Sequence, residues 1–172
     1  KDKNTHHIKW LNKLNNAIAQ DHIVPYFMPK NNKKTKKIKK YEVLARIDDN
    51  QDVYTPDKFL NIAISSGKYH IITQTMIRKT FLYFQDISDV KFSINIGLSD
   101  ILNEDTMQLL FENLKQYKYS SNVIIELLET EEISDFELLN NFIKKVKSYN
   151  AKIAIDDFGS GYSNFNYIMH LD

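Results

Sequence analysis

Residues 152–163 read KIAIDDFGSGYS. An apolar run with the look of a strand ends in two adjacent carboxylates, Asp156 and Asp157, and passes at once into a Gly-Ser-Gly turn. The chain has only 4 glycines in 172 residues, and Gly159 and Gly161 are two of them. Glycine tolerates positive φ and close approach of the backbone. Half the supply of a glycine-poor chain, set beside an acidic pair, is expected to shape a site.

Working outward from this strand, VIIELLE (123–129) and KFSINIG (91–97) read as strands, the latter by the alternation of Phe92, Ile94 and Ile96 with Ser93 and Asn95. The stretches between them are helical in pattern. Ser134 and Glu137 form a capping box before the stripe Phe136, Leu139, Phe142, Ile143 and Val146. Residues 103–118 and 68–84 predict two more helices, and Thr55-Pro56 predicts a helix start from a capping hydroxyl and Pro at the first helical position. Ser163 would cap a last one. Nearer the N-terminus, HIVPYFMPK (22–30) and IKKYEVLARI (38–47) read as antiparallel strands. A helix over 5–20 is expected to bury Ile8, Leu11, Leu14 and Ile18, with Trp10 beside them. Five strands, the last three alternating with helices, predict an α/β fold with a parallel sheet, either open and doubly wound or closed into a barrel.

Bulk composition excludes several classes. Hydrophobic residues make up 42% and charged residues 26%, ordinary for a globular domain. No apolar run approaches the ~20 residues of a membrane span. Without cysteine there are no disulfides or thiolate metal sites, so a metal would need oxygen or imidazole ligands. A cytoplasmic location, or the cytoplasmic part of a membrane-anchored parent, is the expectation. Net charge is +1, but KNNKKTKKIKK (30–40) holds seven lysines, so the remainder is net acidic. No aromatic or arginine interleaves them as a nucleic-acid surface requires. The run is read as a solvated turn, and no nucleic-acid polymer is expected as partner.

The strands share one feature that composition does not require. Glu42, Asn95, Glu126 and the pair Asp156 and Asp157 fall on four of them in succession. Each acid alone has a bland explanation, because a strand end is wet and a charge there costs little. In barrels, however, side chains at the carboxyl ends of strands converge on one mouth. Oxygen ligands gathered there would repel one another without a cation, and Mg²⁺, Mn²⁺ or Ca²⁺ suits such a set.

These residues also carry a resemblance. Glu42-Val43-Leu44-Ala45-Arg46 resembles the Glu-Ala-Leu-Leu-Arg signature of the EAL family of cyclic di-GMP phosphodiesterases. Ser93-Ile94-Asn95-Ile96 is similar to its Ser-Val-Asn-Leu segment, and Ile125-Glu126-Leu127-Leu128-Glu129 to its Leu-Glu-Ile-Thr-Glu segment. Asp156 to Ser163 match its Asp-Asp-Phe-Gly-Thr-Gly-Tyr-Ser loop almost letter for letter. The likeness runs in order from about His22 to the end. It implies a modified (β/α)8 TIM barrel whose first strand is antiparallel to the rest, here incomplete, with about five strands. Residues 1–21 would then be a lead-in helix or linker and 22–172 an incomplete EAL domain.

The resemblance further implies that Glu42, Asn95, Glu126 and Asp156 bind one catalytic metal and that Asp157 helps to hold a second, Mg²⁺ or Mn²⁺. Arg46 would meet a substrate phosphate, which a guanidinium fork suits. Glu129 would brace the loop of Gly159 and Gly161. Successive strand residues point opposite ways, so Asp156 and Asp157 can share one metal cluster only if the backbone bends at once. The implied reaction is in-line hydrolysis of one phosphodiester of cyclic di-GMP to linear pGpG. A homodimer and a fused upstream sensory or diguanylate cyclase domain are further expectations.

Three positions depart from the family pattern: Met28 for a Gln, Leu128 for a Thr, and Val43 for an Ala. A lysine, a glutamate and a glutamine that the family carries on its later strands have no counterpart in these 172 residues. The chain is therefore expected to belong to a longer protein and to show no turnover alone. The alternative is an inactive EAL-type sensor or scaffold that binds cyclic di-GMP without cleaving it. Asp157-Phe158-Gly159 also spells a kinase magnesium triplet, but no glycine-rich loop or His-Arg-Asp segment accompanies it.

Overall fold

The computed structural model describes residues 2–30, 40–128 and 135–155. Helix α1 (Asp2–Ala19) leads into strand β1 (Ile23–Pro29), which pairs antiparallel with β2 (Lys40–Asp48). The two-residue β3 (Val53–Tyr54), α2 (Pro56–Ser65) and α3 (Tyr69–Phe84) follow. Next come β4 (Lys91–Ile96), the short α4 (Leu98–Ile101), α5 (Glu104–Gln116), β5 (Val123–Leu127), α6 (Phe136–Ser148) and β6 (Lys152–Ile155). The sheet runs β1-β2-β4-β5-β6, and β3 pairs with the end of β2. From β2 to β6 along this order every ladder is parallel. The inverted first strand is therefore present, and β3 makes a sixth strand beyond the five expected.

The core explains why these segments hold together. Phe92, Ile94, Ile96, Val123, Ile125 and Leu127 are buried on one face of β4 and β5. Phe92 is fully buried there, stacked on Phe84 at 4.8 Å and meeting Phe81 and Tyr117 edge-on at 5.5 and 5.8 Å. Tyr117 places its hydroxyl on the Phe84 carbonyl at 3.2 Å, so a buried phenol keeps its hydrogen bond. Helix α6 buries Leu139, Phe142, Ile143 and Val146, four of the five stripe residues read from the sequence.

Four local readings are corrected. Thr55 precedes α2 with Pro56 inside its first turn, but the hydroxyl does not cap the backbone. It accepts no backbone N–H and instead donates to the Asp57 carboxylate. At α6 the N-cap is Asp135, whose Oδ1 accepts the Leu138 N–H at 3.0 Å; Ser134 lies outside the described residues. On α1 the buried positions are Trp10, Leu14 and Ala17, while Ile8 is exposed, because the broad indole packs edge-on against Tyr54 at 5.1 Å and turns the helix toward itself. Helix α4 was not expected. It forms because the buried Asp100 carboxylate accepts the Gly97 N–H at 2.9 Å, tightening the chain directly after β4. The proposed helix from Ser163 lies outside the described residues.

Candidate active site

Register decides which side chains meet. Across β1 and β2, Met28 faces Glu42, Tyr26 faces Leu44 and Val24 faces Arg46. Glu42 is level with Ser93 on β4, Asn95 with Glu126 on β5, and Glu126 with Ala154 on β6. Residues level across a ladder, and every second residue along a strand, share a face. One face of the sheet thus carries Glu42, Arg46, Asn95 and Glu126, opposite the face that packs Phe92 and Ile94 on the helices. Neighbouring strands lie about 4.8 Å apart, and two residues advance about 6.6 Å. Asn95 and Glu126 are side by side, and Glu42 is one step lower on the adjacent strand.

Glu42 is not at the end of its strand. β2 continues through Arg46 to Asp48, but its ladder with β4 stops at Val43, so Glu42 lies just below the point where the shared edge opens. Its carboxylate is engaged: Lys30 Nζ is 2.9 Å from Glu42 Oε2. The Lys30 N–H donates to the Lys40 carbonyl at 2.9 Å, which extends the hairpin register by one pair. Lys30 is therefore diagonal to Glu42 on the same face. Lys40 is the first residue of β2. The two ends of the lysine run belong to the hairpin, and residues 31–39, where the solvated turn was expected, lie outside the described residues.

Asn95 Oδ1 is buried with no hydrogen-bond partner among the described residues. An orphaned amide oxygen costs on the order of 1–3 kcal/mol unless something outside the chain satisfies it. Beside it is an apolar cavity of about 210 Å³ lined by Leu44, Tyr69, Thr73, Met76, Asn95 and Leu128 among others. Leu128, one of the departures from the family pattern, closes its rim and donates its N–H to the Ile96 carbonyl at 3.1 Å. No group of three His, Cys, Asp or Glu among the described residues could hold a metal ion by itself. Asp156, Asp157, Glu129, Gly159 and Gly161 lie outside the described residues.

Arg46 occupies a break in the sheet. The Lys30–Lys40 and His22–Asp48 backbone hydrogen bonds show that even-numbered residues of β2 bond to β1, so odd-numbered ones turn their main-chain groups to the other edge. On that edge Tyr41 and Val43 meet β4, and Ile47 meets β3. Ala45 falls between the two ladders. Its carbonyl is satisfied by the Arg46 side chain, whose Nη1 donates to it at 2.8 Å. Opposite Ala45 stands Pro25, which sits in a non-hydrogen-bonded pair where its missing N–H costs nothing. The rest of the Arg46 fork makes no protein hydrogen bond among the described residues.

Two residues the sequence reading did not single out share this face. Tyr26 lies under Arg46, its ring centroid 5.7 Å from the guanidinium carbon, and its hydroxyl donates to Asp48 Oδ2 at 3.1 Å. That hydrogen bond, with partial burial and the carboxylate charge, raises the phenol above its ordinary range. The alternation of Val24, Tyr26 and Met28 would have put Tyr26 on the same face as Glu42 had the hairpin been registered. Nothing in the sequence indicated that it reaches Asp48.

The description of the EAL domain family matches residues 11–172. The chain belongs to the EAL family. Among curated EAL relatives it is 27% identical over 172 residues to the probable cyclic di-GMP phosphodiesterase PdeA of Escherichia coli (strain K12), covering 97% of this chain and 23% of the relative. It is 28% identical over 161 residues to the cyclic di-GMP phosphodiesterase PdeA of Borreliella burgdorferi, covering 90% and 24%. The chain thus spans about a quarter of these relatives. Its fold matches the EAL enzyme Bd1971 in its cAMP- and cyclic-di-GMP-bound form, with TM-score 0.83 and 22% identity over 99% of this chain and 49% of that one. It also matches the EAL domain of Xanthomonas citri FimX in complex with c-diGMP, with TM-score 0.81 and 17% identity over 98% and 68%. The architecture is TIM-barrel-like. No helix among the described residues is long and apolar enough to cross a membrane.

Proposed function

We propose that this chain supplies part of the active site of a metal-dependent phosphodiesterase that hydrolyses cyclic di-GMP to linear pGpG within a longer signalling protein. The observation that carries the reading is the shared face of Glu42, Asn95 and Glu126, with an amide oxygen that no described group satisfies. Two carboxylates and a bare amide oxygen form a hard-oxygen set of the kind Mg²⁺ or Mn²⁺ takes. Asp156, two residues after Ala154, would extend the same face, and Asp157 would reach it through the bend at Gly159 and Gly161, braced by Glu129. When bound, a pair of such ions lowers the pKa of water and neutralises charge on the phosphoryl oxygens. Arg46 receives a non-bridging phosphate oxygen through its unused N–H groups. Water oxygen forms the new bond to phosphorus, the ester bond to one ribose oxygen breaks, and the departing oxygen takes up a proton.

On this reading residues 1–21 act as a lead-in helix or linker and 22–172 as the EAL domain; α1 is docked in the core by Trp10 and Leu14. Sensory or cyclase modules upstream, a homodimer and a cytoplasmic setting go with this reading. The test is turnover of cyclic di-GMP by the full-length protein with Mg²⁺ or Mn²⁺, wild type against Glu42→Ala, with products separated by chromatography. Loss of at least about a hundredfold in kcat/KM is expected. Equal rates refute the ligand assignment.

A second reading, a binding module without turnover, is favoured by the Lys30–Glu42 pair, which neutralises one ligand without any metal. Titration calorimetry showing tight cyclic di-GMP binding by a wild-type protein that forms no pGpG would establish it.

A further inference from the structure

Arg46 and Asp48 are two residues apart on one face of β2, close enough for a guanidinium and a carboxylate to meet, yet they form no ion pair. Asp48 is committed elsewhere: Oδ1 accepts the Asn50 N–H at 3.0 Å, and Oδ2 accepts the Tyr26 hydroxyl at 3.1 Å. Tyr26 is level with Leu44, four residues short of Asp48 along β2, so the two side chains lean toward each other to meet. Arg46 stands on that path, with its guanidinium over the ring. The arrangement does two things together. The ring supports the cation on its electron-rich face, and the hydroxyl withholds from it the nearest carboxylate on its own strand.

We infer that Tyr26 is a positioning residue for Arg46: by holding Asp48 and bracing the guanidinium, it keeps the fork unneutralised and turned to receive a phosphate. Its consequence for catalysis rests on the phosphodiesterase reading above. A free carboxylate beside Arg46 would take the bidentate geometry that a phosphate needs, and substrate would then have to displace it. Substrate binding, and not the chemical step, is where such competition is felt.

The experiment uses the full-length protein with Mn²⁺ and three variants: Tyr26→Phe, Asp48→Asn and the double variant. Tyr26→Phe keeps the ring and releases Asp48, and Asp48→Asn removes the competing charge. Selective ¹⁵N labelling of arginine reports the Arg46 side-chain N–H signals without reference to activity. In Tyr26→Phe these signals are expected to shift as the Arg46–Asp48 pair forms, with KM for cyclic di-GMP raised roughly tenfold and kcat within about twofold. In the double variant the signals and KM return toward wild type. Arg46 signals unmoved by Tyr26→Phe, or moved and not restored in the double variant, overturn the inference. A restored shift in a protein that turns over cyclic di-GMP with an unchanged KM upholds the hold of Tyr26 on Arg46 and overturns its effect on substrate binding. A restored shift in a protein with no turnover upholds that hold and removes the phosphodiesterase reading.

Discussion

Lys30 Nζ lies 2.9 Å from Glu42 Oε2, diagonally across the β1–β2 hairpin. The ammonium and a divalent cation would occupy the same side of the same carboxylate. The Lys30 side chain is 48% exposed, so the pair is well solvated, in the class worth about 0.2–1 kcal/mol. Lys30→Met is therefore expected to tighten Mn²⁺ binding by about 1.4- to fivefold, the equivalent of that range. Electron paramagnetic resonance of free Mn²⁺ during titration measures it. Unchanged or weaker binding would show that the two cations do not compete.

Asn95 separates a structural role from a ligand role. Its Oδ1 has no partner among the described residues, so Asn95→Leu relieves an orphaned acceptor there. Stability in urea is expected to hold or rise by about 1 kcal/mol. Mn²⁺ affinity should fall by roughly tenfold or more in the same preparation. A variant that loses stability while keeping its affinity contradicts the ligand assignment.

Phe92 lies at the centre of the ring cluster formed with Phe81, Phe84 and Tyr117 and is fully buried. Phe92→Ala leaves a cavity that rigid ring neighbours cannot close. A cost of about 3–5 kcal/mol is expected, read from the shift in the urea midpoint. A shift under a third of that would mean that α3 collapses onto the sheet.

Asp49 turns the chain from β2 to β3. Its Oδ1 accepts the N–H groups of Gln51 at 3.0 Å and Asp52 at 2.7 Å, and those backbone donors hold the carboxyl below its usual range. A depressed folded-state pKa gives stability that is present above the unfolded-state value and lost as pH falls through the folded one. Asp49→Asn keeps an acceptor without the charge. Wild type should be the more stable at about pH 6, with the advantage gone by about pH 2. Denaturation across that range checks it, and a constant difference would rule out the titration.

Much of the fold was legible because its signals are local. The alternation of Phe92, Ile94 and Ile96 is a property of six residues and marks β4 wherever the strand goes. The stripe from Leu139 to Val146 likewise marks α6. Caps were harder: Asp135 stands beside Ser134, and the choice between adjacent oxygens depends on a few degrees of backbone. The face of α1 was legible in Leu11, Leu14 and Ile18, which meet the core, but not at Ile8, which is exposed while Trp10 is buried against Tyr54, about forty residues away in the chain. Of the candidate site, the motifs identified Glu42, Arg46, Asn95 and Glu126, since residue type and spacing are both one-dimensional. Lys30 was set aside as one lysine of seven, and Tyr26 and Asp48 drew no notice.

By itself, then, the chain of letters determined the strands and helices other than β3 and α4, the inverted hairpin and the family whose motifs it carries. Those follow from period, punctuation and residue type, which neighbours along the backbone set. Only the tertiary structure decided that Lys30 answers Glu42, that Arg46 fills the break between two ladders, and that Tyr26 reaches Asp48. These depend on hairpin register and on where β2 exchanges β4 for β3, and register is a contact between distant segments that no local pattern encodes.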